Sequence, residues 1–246
     1  MLINLVKGIF NMERKVFILV HGAWHGAWCW QRVIPYMQQQ GHEVVCPDLR
    51  VTTNISLEYY VQELGKILES VSTPVILVGH SLGGLIISQA AEYWPTKVKQ
   101  LIYIAGFVLK NKHSILNTIQ QIAIPSLVDT NLIVDQATGM TRLNEAAISA
   151  CFYNDCSNVD IDWGKAQLVE QPLQPMLDEV QISPEKYGMI PKIYIELLHD
   201  NAILPLFQQK MYSTQSNMRV LSMASGHCPF ISQPHILANY LLEAAN

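Results

Sequence analysis

The five residues Gly79-His80-Ser81-Leu82-Gly83 constrain this chain more than any other stretch. They follow the unbroken apolar run Val75-Ile76-Leu77-Val78 and precede a helix-like segment, Leu82 to Trp94, that stops before Pro95. A short apolar run bounded by glycine reads as a strand buried on both faces, which is what a parallel sheet provides. A strand that passes into a helix across Gly-x-Ser-x-Gly leaves one residue in a strained turn, with glycines admitting the close backbone neighbours. The string alone arises by chance in about one chain in ten of this length, given the average abundance of glycine and serine. Its position between a buried strand and a helix is what gives it weight.

The same alternation runs through the first 106 residues and resumes near the end. Strand candidates are Lys15 to Val20, Glu43 to Cys46, Val75 to Gly79, Leu101 to Ala105, Ile193 to Leu198 and Arg219 to Met223. Helix candidates are Cys29 to Gln40, ended by Gly41, then Ser56 to Ser70, with Ser56 placed to cap its start, and Leu82 to Trp94. Two more lie at Leu206 to Tyr212 and Pro234 to Ala245. Short apolar strands alternating with amphipathic helices predict βαβ units and hence an α/β fold, a mostly parallel sheet flanked by helices.

Residues 107–190 break the rhythm. They hold no convincing strand, and their short helical patterns are interrupted by Pro125, Pro172, Pro175 and Pro184. A structureless loop of that length is foreign to a compact domain. The segment is therefore expected to be an inserted helical cap over the carboxyl edge of the sheet, where open α/β sheets bind ligands. One domain over residues 1–246 follows, with its core at about 12–106 and 191–246 and its cap at about 107–190. Residues 1–11 are apolar with one lysine and lack the charged start and cleavage site of an export signal, so they read as a loose extension with Met12 as the candidate start.

Composition narrows the partners. Half of the residues are hydrophobic and 15% are charged, ample material for a large core. A net charge of −4 without a Lys/Arg-rich run offers no footprint for nucleic acid. The apolar runs fall short of the roughly 20 residues that span a bilayer, so no membrane partner is expected. Cysteines 29, 46, 151, 156 and 228 are odd in number and scattered, which predicts free thiols in a reducing compartment, the cytoplasm. Cys151 and Cys156 lack a second ligand pair, so no zinc or other metal is expected.

Serine is a poor nucleophile at neutral pH and needs a base, and the base needs a third group to hold it. In a fold of this kind the chain order is serine, acid, histidine. His227, in the loop after the last strand candidate, is the expected base; His235 lies inside the final helix, where an exposed surface role suffices. Asp200 ends the preceding strand candidate and is the expected acid, ahead of Glu196, which sits within that strand, and of Asp129 and Asp178 in the cap. A helix starting at Leu82 presents free N–H groups beside the serine. The backbone N–H groups of Leu82 and of Ala23, in the turn His21-Gly22-Ala23, form the expected oxyanion hole. Trp24, His25 and Trp163 are candidate substrate contacts, with Met176 and Leu177 as further lining residues. Trp28 and Trp30 are expected to pack in the core.

Four stretches together carry a family resemblance: His21-Gly-Ala-Trp-His-Gly-Ala-Trp-Cys-Trp30, Gly79-His-Ser-Leu-Gly-Gly84, Asp200-Ala-Ile, and Gly226-His227 before Pro229-Phe230. They resemble the methylesterase and hydroxynitrile lyase family of α/β-hydrolases, both its plant methyl-ester esterases and its bacterial relatives. The likeness extends more faintly to the cap at Phe152-Tyr-Asn-Asp-Cys156 and Gln171-Pro-Leu-Gln-Pro175. It implies the α/β-hydrolase fold and a cofactor-independent serine esterase acting through Ser81, His227 and Asp200 on a small, largely apolar ester, methyl esters included. The resembling lyases carry Thr after the first His and Lys after the catalytic His, where Gly22 and Cys228 stand here. Cyanohydrin cleavage is thus the disfavoured alternative, and a small-molecule receptor on the same scaffold is a third. A carboxylate nucleophile is closed by Ser81 itself. A homodimer is compatible with the sequence.

Overall fold

Six strands form one parallel sheet within residues 14–246, the part of the chain that the computed structural model describes. In chain order the elements of the first half are β1 (Val16–Val20), a 3-10 turn (Ala27–Trp30), α1 (Ile34–Gln39), β2 (Glu43–Val45), α2 (Leu57–Ser70), β3 (Val75–His80), α3 (Gly83–Tyr93) and β4 (Val98–Ile104). After residue 190 come β8 (Lys192–Leu197), α9 (Pro205–Tyr212), β9 (Met218–Met223), α10 (Pro229–Ser232) and α11 (Pro234–Ala244), the numbers between being taken up by the inserted segment. The strand order is β2-β1-β3-β4-β8-β9, every neighbouring pair parallel. From β1 the chain goes outward to β2 and then crosses to β3 on the other side. That reversal opens a crevice at the carboxyl ends of β1 and β3.

The apolar runs read from the sequence are the central strands. β1, β3 and β8 are buried at every residue, while the edge strands β2 and β9 are partly exposed. α3 packs hard on the sheet: a β-carbon on Gly83 would come 2.6 Å from the Val20 carbonyl oxygen, and one on Gly84 would come 2.8 Å from the Phe107 backbone. Only glycine lets the helix approach that closely.

Two helix starts differ from expectation. The stretch expected as one helix from Cys29 to Gln40 is the 3-10 turn followed by α1, because Pro35 lacks the N–H that a continuous helix would use and instead sits in the first turn of α1. Ser56 occupies the cap position of α2 but its side chain makes no capping bond; the Leu57 N–H donates instead to Asp178 Oδ2 at 2.7 Å, tying α2 to the inserted segment.

The segment between β4 and β8 is not purely helical. It holds α4 (Ile115–Ile122), α5 (Leu127–Asn131), α6 (Glu145–Phe152), α7 (Asn158–Lys165) and α8 (Gln174–Leu177), together with an antiparallel sheet of β5 (Leu132–Val134), β6 (Met140–Leu143) and β7 (Gln171–Pro172). These strands have two to four residues, too short to show a period of two. Their turn is built locally: Gly139 has φ +69°, and the Asp135 carboxylate accepts from the Ala137 N–H at 2.8 Å.

The extension 1–11 and Met12 lie outside the described residues. All five cysteines are unpaired. Among the described residues no helix is long and apolar enough to cross a membrane, and no group of three His, Cys, Asp or Glu is arranged to hold a metal ion.

Candidate active site

Ser81 has φ +52°, in the left-handed region that a residue with a side chain occupies at a cost of about 1–3 kcal/mol. The surroundings enforce it. Its N–H donates to the Ile104 carbonyl at 3.2 Å, and its own carbonyl accepts from the Gly84 and Phe107 N–H groups at 3.0 and 2.9 Å. A β-carbon on Gly79 would meet the Gly83 oxygen at 2.6 Å, so the flanking glycines are a steric condition of the turn. The turn lifts the serine off the end of β3, at the amino end of α3. Because β1 pairs with β3 through Val20 and Gly79, the turn after β1 lies beside it, and a β-carbon on Gly22 would stand 2.8 Å from Ser81 Cβ.

On the other side of the sheet, the pairing of Leu197 with Met223 brings the loops after β8 and β9 together. These loops carry Asp200 and His227, whose Oδ2 and Nδ1 are 2.7 Å apart, with both residues buried. Since a carboxylate accepts, the imidazole presents Nδ1–H to it and leaves Nε2 for a reaction partner. Asp200 is pinned from two directions: Oδ1 accepts the Ala202 and Ile203 N–H groups at 2.7 and 2.9 Å, and Gln208 Nε2 approaches Oδ2 at 3.5 Å. Gln208, wholly buried on α9, also bonds the N–H and C=O of Leu197 and the carbonyl of Ile203, so it braces the entire acid loop. Sequence reasoning missed Gln208; the only signal was an amide within the short helix that follows the acid.

The rival residues have other occupations. Glu196, inside β8, accepts from the hydroxyls of Tyr212 and Ser222 at 3.0 and 2.6 Å. Asp129 caps α5 through Ser126, and Asp178 holds Leu57 and Gln174. His235 is exposed on α11 against the Tyr36 ring.

Three further buried imidazoles surround the site, and each is held neutral. His21 and His25 donate Nδ1–H to the carbonyls of Gly22 and Ala23, both at 2.9 Å. That leaves each Nε2 as an acceptor, for the Leu49 N–H at 3.0 Å and for the Tyr153 hydroxyl at 3.2 Å respectively. His80 donates Nε2–H to the His227 carbonyl at 2.8 Å, and its buried Nδ1 has no partner. Burial depresses all three, His25 to about 3 and His80 well below the usual range. Among these buried imidazoles only His227 faces a carboxylate through Nδ1. Cys228, which follows it, is fully buried with its Sγ 3.6 Å from His25 Nε2; burial pushes its thiol well up, so it carries no charge beside the base.

Ser81 and His227 open onto one cavity of about 80 Å³, shared with Ala23, Trp24 and Leu82. Its remaining walls are Phe107, Ile115, Ile119, Ile124, Val128, Leu132, Phe152, Met176, Ala202, Ile203, Leu204 and Phe207, with Ser126 and Asp129 as the other polar members. Ala23 and Leu82 line the same cavity as Ser81. Trp24 lines the cavity, with φ +61° and its indole N–H on the Thr141 carbonyl at 3.1 Å. His25 and Trp163 do not. His25 is enclosed by Trp28, Phe152, Tyr153 and Phe230, and Trp163 packs edge-on against Trp28 with the Arg32 guanidinium 4.8 Å over its ring. Leu177 is exposed and also stands apart from the walls, unlike Met176. Trp30 is fully buried and Trp28 partly so.

A sequence profile described as the alpha/beta hydrolase family matches residues 17–240. The chain is 30% identical to putative methylesterase 11, chloroplastic, of Arabidopsis thaliana over 96% of its own length, and spans 65% of that relative. It is also 30% identical to methylesterase 3 of the same plant, covering 95% of this chain and 97% of the relative. The crystal structure of polyneuridine aldehyde esterase superposes with a TM-score of 0.84 at 22% identity, over 95% of this chain and all of the other, a likeness of fold.

Proposed function

The chain belongs to the alpha/beta hydrolase family and, within it, to the methylesterases, and from that premise we propose that it is a serine esterase that hydrolyses small, apolar carboxylic esters, methyl esters among them, through Ser81, His227 and Asp200. The observation that carries this reading is the buried His227–Asp200 pair at 2.7 Å, with His227 and Ser81 lining one cavity. The chain spans about two thirds of the length of putative methylesterase 11.

In this reading Ser81 Oγ attacks the ester carbonyl carbon while His227 Nε2 takes the hydroxyl proton. The carbonyl π pair moves onto oxygen, and that oxyanion is received by the N–H groups of Ala23 and Leu82, each worth about 3 kcal/mol in the transition state. Asp200 holds the imidazolium by the Nδ1–H bond. Collapse of the tetrahedral intermediate expels the alkoxide, which takes the proton from Nε2. Water then adds to the acyl-enzyme with His227 again as base, releasing the acid and restoring Ser81.

The cavity supports the substrate class. Its walls beyond the reacting groups are aliphatic and aromatic, with polarity confined to Ser126 and Asp129, so a charged acyl group would lose its hydration without compensation. Cyanohydrin cleavage fits poorly: a β-carbon at position 22 would crowd Ser81 Cβ, and the neutral Cys228 thiol supplies no cation for a departing cyanide. The five unpaired thiols support a reducing compartment, the cytoplasm, as the place of action.

The test is hydrolysis of p-nitrophenyl acetate and of a panel of methyl esters by the wild type and Ser81→Ala. Multiple turnover falling by a factor on the order of 10⁶ in the variant is expected. Undiminished turnover by Ser81→Ala would overturn the assignment.

A further inference from the structure

The inserted segment contributes more than a wall to the cavity. At the end of α6 the chain runs Phe152-Tyr153-Asn154-Asp155, and it touches both loops of the acid–base pair. One oxygen of Asp155, Oδ2, accepts from the Gly226 N–H at 2.8 Å, the Ser225 hydroxyl at 2.9 Å and the Ser232 hydroxyl at 3.0 Å, with Gln233 Nε2 at 3.5 Å. These donors bracket His227 on either side. Asn154 Nδ2 donates to the carbonyl of His199, next to Asp200, at 2.9 Å. Asn201, on the other side of the acid, donates to the Ala150 carbonyl, also at 2.9 Å. The Phe152 ring stacks on the His227 imidazole with centroids 5.6 Å apart.

Gly226 shows how close this fit is. A β-carbon there would come 2.7 Å from Asp155 Oδ1 and would collide with Asn154 Oδ1, so the glycine before the base is required by the inserted segment rather than by a turn of its own. The Asp155 contacts cannot be replaced by the loop's internal bonds, because they join residues about 70 positions apart through a single carboxylate oxygen.

We propose that Asp155 is a positioning residue for the base, fastening both flanks of His227 to the inserted segment so that Nδ1 stays on Asp200 and Nε2 faces Ser81. This role rests on the triad reading above. It has a direct corollary: the segment that walls the cavity and the loop that carries His227 are held in one arrangement through a single carboxylate. Geometry of this kind is expensive to lose, since a misplacement of about 1 Å at a reacting group can cost on the order of 100-fold in rate.

The experiment compares Asp155→Ala, Asp155→Asn, His227→Ala and the double variant Asp155→Ala/His227→Ala by steady-state hydrolysis of p-nitrophenyl acetate, with thermal melting of each. Asp155→Ala is expected to lower kcat by about 10- to 100-fold with KM within about twofold, because the apolar walls are untouched. Asp155→Asn keeps an acceptor oxygen for the Gly226 N–H and should recover most of the rate, which also covers the case in which the alanine variant folds poorly. In the His227→Ala background the Asp155 substitution should have no further effect on the residual rate. Wild-type kcat in Asp155→Ala, or an equal loss with and without His227, would overturn the positioning role alone. Wild-type turnover in His227→Ala would overturn the triad reading itself.

Discussion

The carboxyl ends of β3, β8 and β9 and the helices α4 and α5 face each other across one cavity, yet they are built on opposite terms. Ser81, Asp200 and His227 are all buried, and each is fixed by backbone bonds: three at the serine, two amide donors at the aspartate, a carbonyl acceptor for His80 at the histidine. α4 and α5 offer Ile115, Ile119 and Val128 to the same space through apolar contact, and carry Leu116 and Leu127 exposed on their other faces. The difference suits what the proposed function asks of each side. Proton transfer requires placement within a few tenths of an ångström, which a hydrogen-bonded frame supplies. Acceptance of an apolar group requires shape and dry area, which exchangeable side chains supply. Asp155 is where the two regions meet.

If that division is right, the frame should be intolerant of changes that preserve shape. Asp200→Asn keeps an oxygen for the Ala202 and Ile203 N–H groups but turns an amide NH₂ toward His227. The imidazole must then accept at Nδ1 and carry its proton on Nε2, the atom that receives the serine proton in the proposed mechanism. A fall in kcat of about 10⁴ is expected from this change of tautomer, with KM little altered. Ester hydrolysis by the purified variant measures it, and a loss of less than tenfold would show that the frame is looser than its bonds suggest.

The turn at Ser81 and the Asp200–His227 contact were legible in the sequence because both lie at the ends of strands. Val75 to Val78, Gly79 and Ser81 each answer to a backbone constraint, so the elbow could be read from residue types alone, and the order of serine, acid and histidine followed from the fold. The strands were placed to within three residues because β1, β3 and β8 are buried at every position; the three-residue miss falls at the start of β4, where Lys99 is exposed. The inserted segment yielded less. β5 to β7 are too short to show a period, and Trp163, a candidate substrate contact in the sequence, packs against Trp28 and does not line the cavity. Asp155 was overlooked because its partners lie about 70 residues away, and Gln208 because an amide on a short helix does not announce a brace. Gly226 was read as part of the base loop, whereas its reason lies in Asn154 and Asp155, which only the fold brings near.

The histidines around the frame give a second, smaller effect, read as a pH dependence of stability. His25 has its folded-state affinity for protons depressed to about 3 by burial, against about 6.5 in the unfolded chain. Between those values the unfolded state binds the proton and the folded state does not, so stability is intact above pH 6.5 and falls as the pH drops toward 3. His80 and His21 are depressed in the same direction. His25→Gln, which can still donate to Ala23 O and accept from Tyr153, should flatten this dependence by up to one proton, roughly 3–5 kcal/mol across the whole interval. Urea denaturation at a series of pH values from 7 to 4 measures the slope. An unchanged slope would mean that His25 is not the neutral imidazole its hydrogen bonds describe.

The smallest effects test the other side of the comparison. Ile119, half-buried on α4, lines the cavity, whereas Trp163 on α7 lies away from it beneath the Arg32 guanidinium. Truncating Ile119 to alanine removes apolar contact from the substrate and no support from the frame, so KM for an apolar ester should rise roughly tenfold while kcat holds within about twofold. Truncating Trp163 should do the reverse of what its sequence context implied: KM and kcat unchanged, with a loss of about 1–2 kcal/mol in stability from the missing contacts to Trp28 and Arg32. Kinetics and denaturation of the two variants together separate wall from scaffold. A fall in kcat for Ile119→Ala would mean that the walls hold the reacting groups as well as the substrate, and that the division between a rigid frame and an exchangeable surface is drawn in the wrong place.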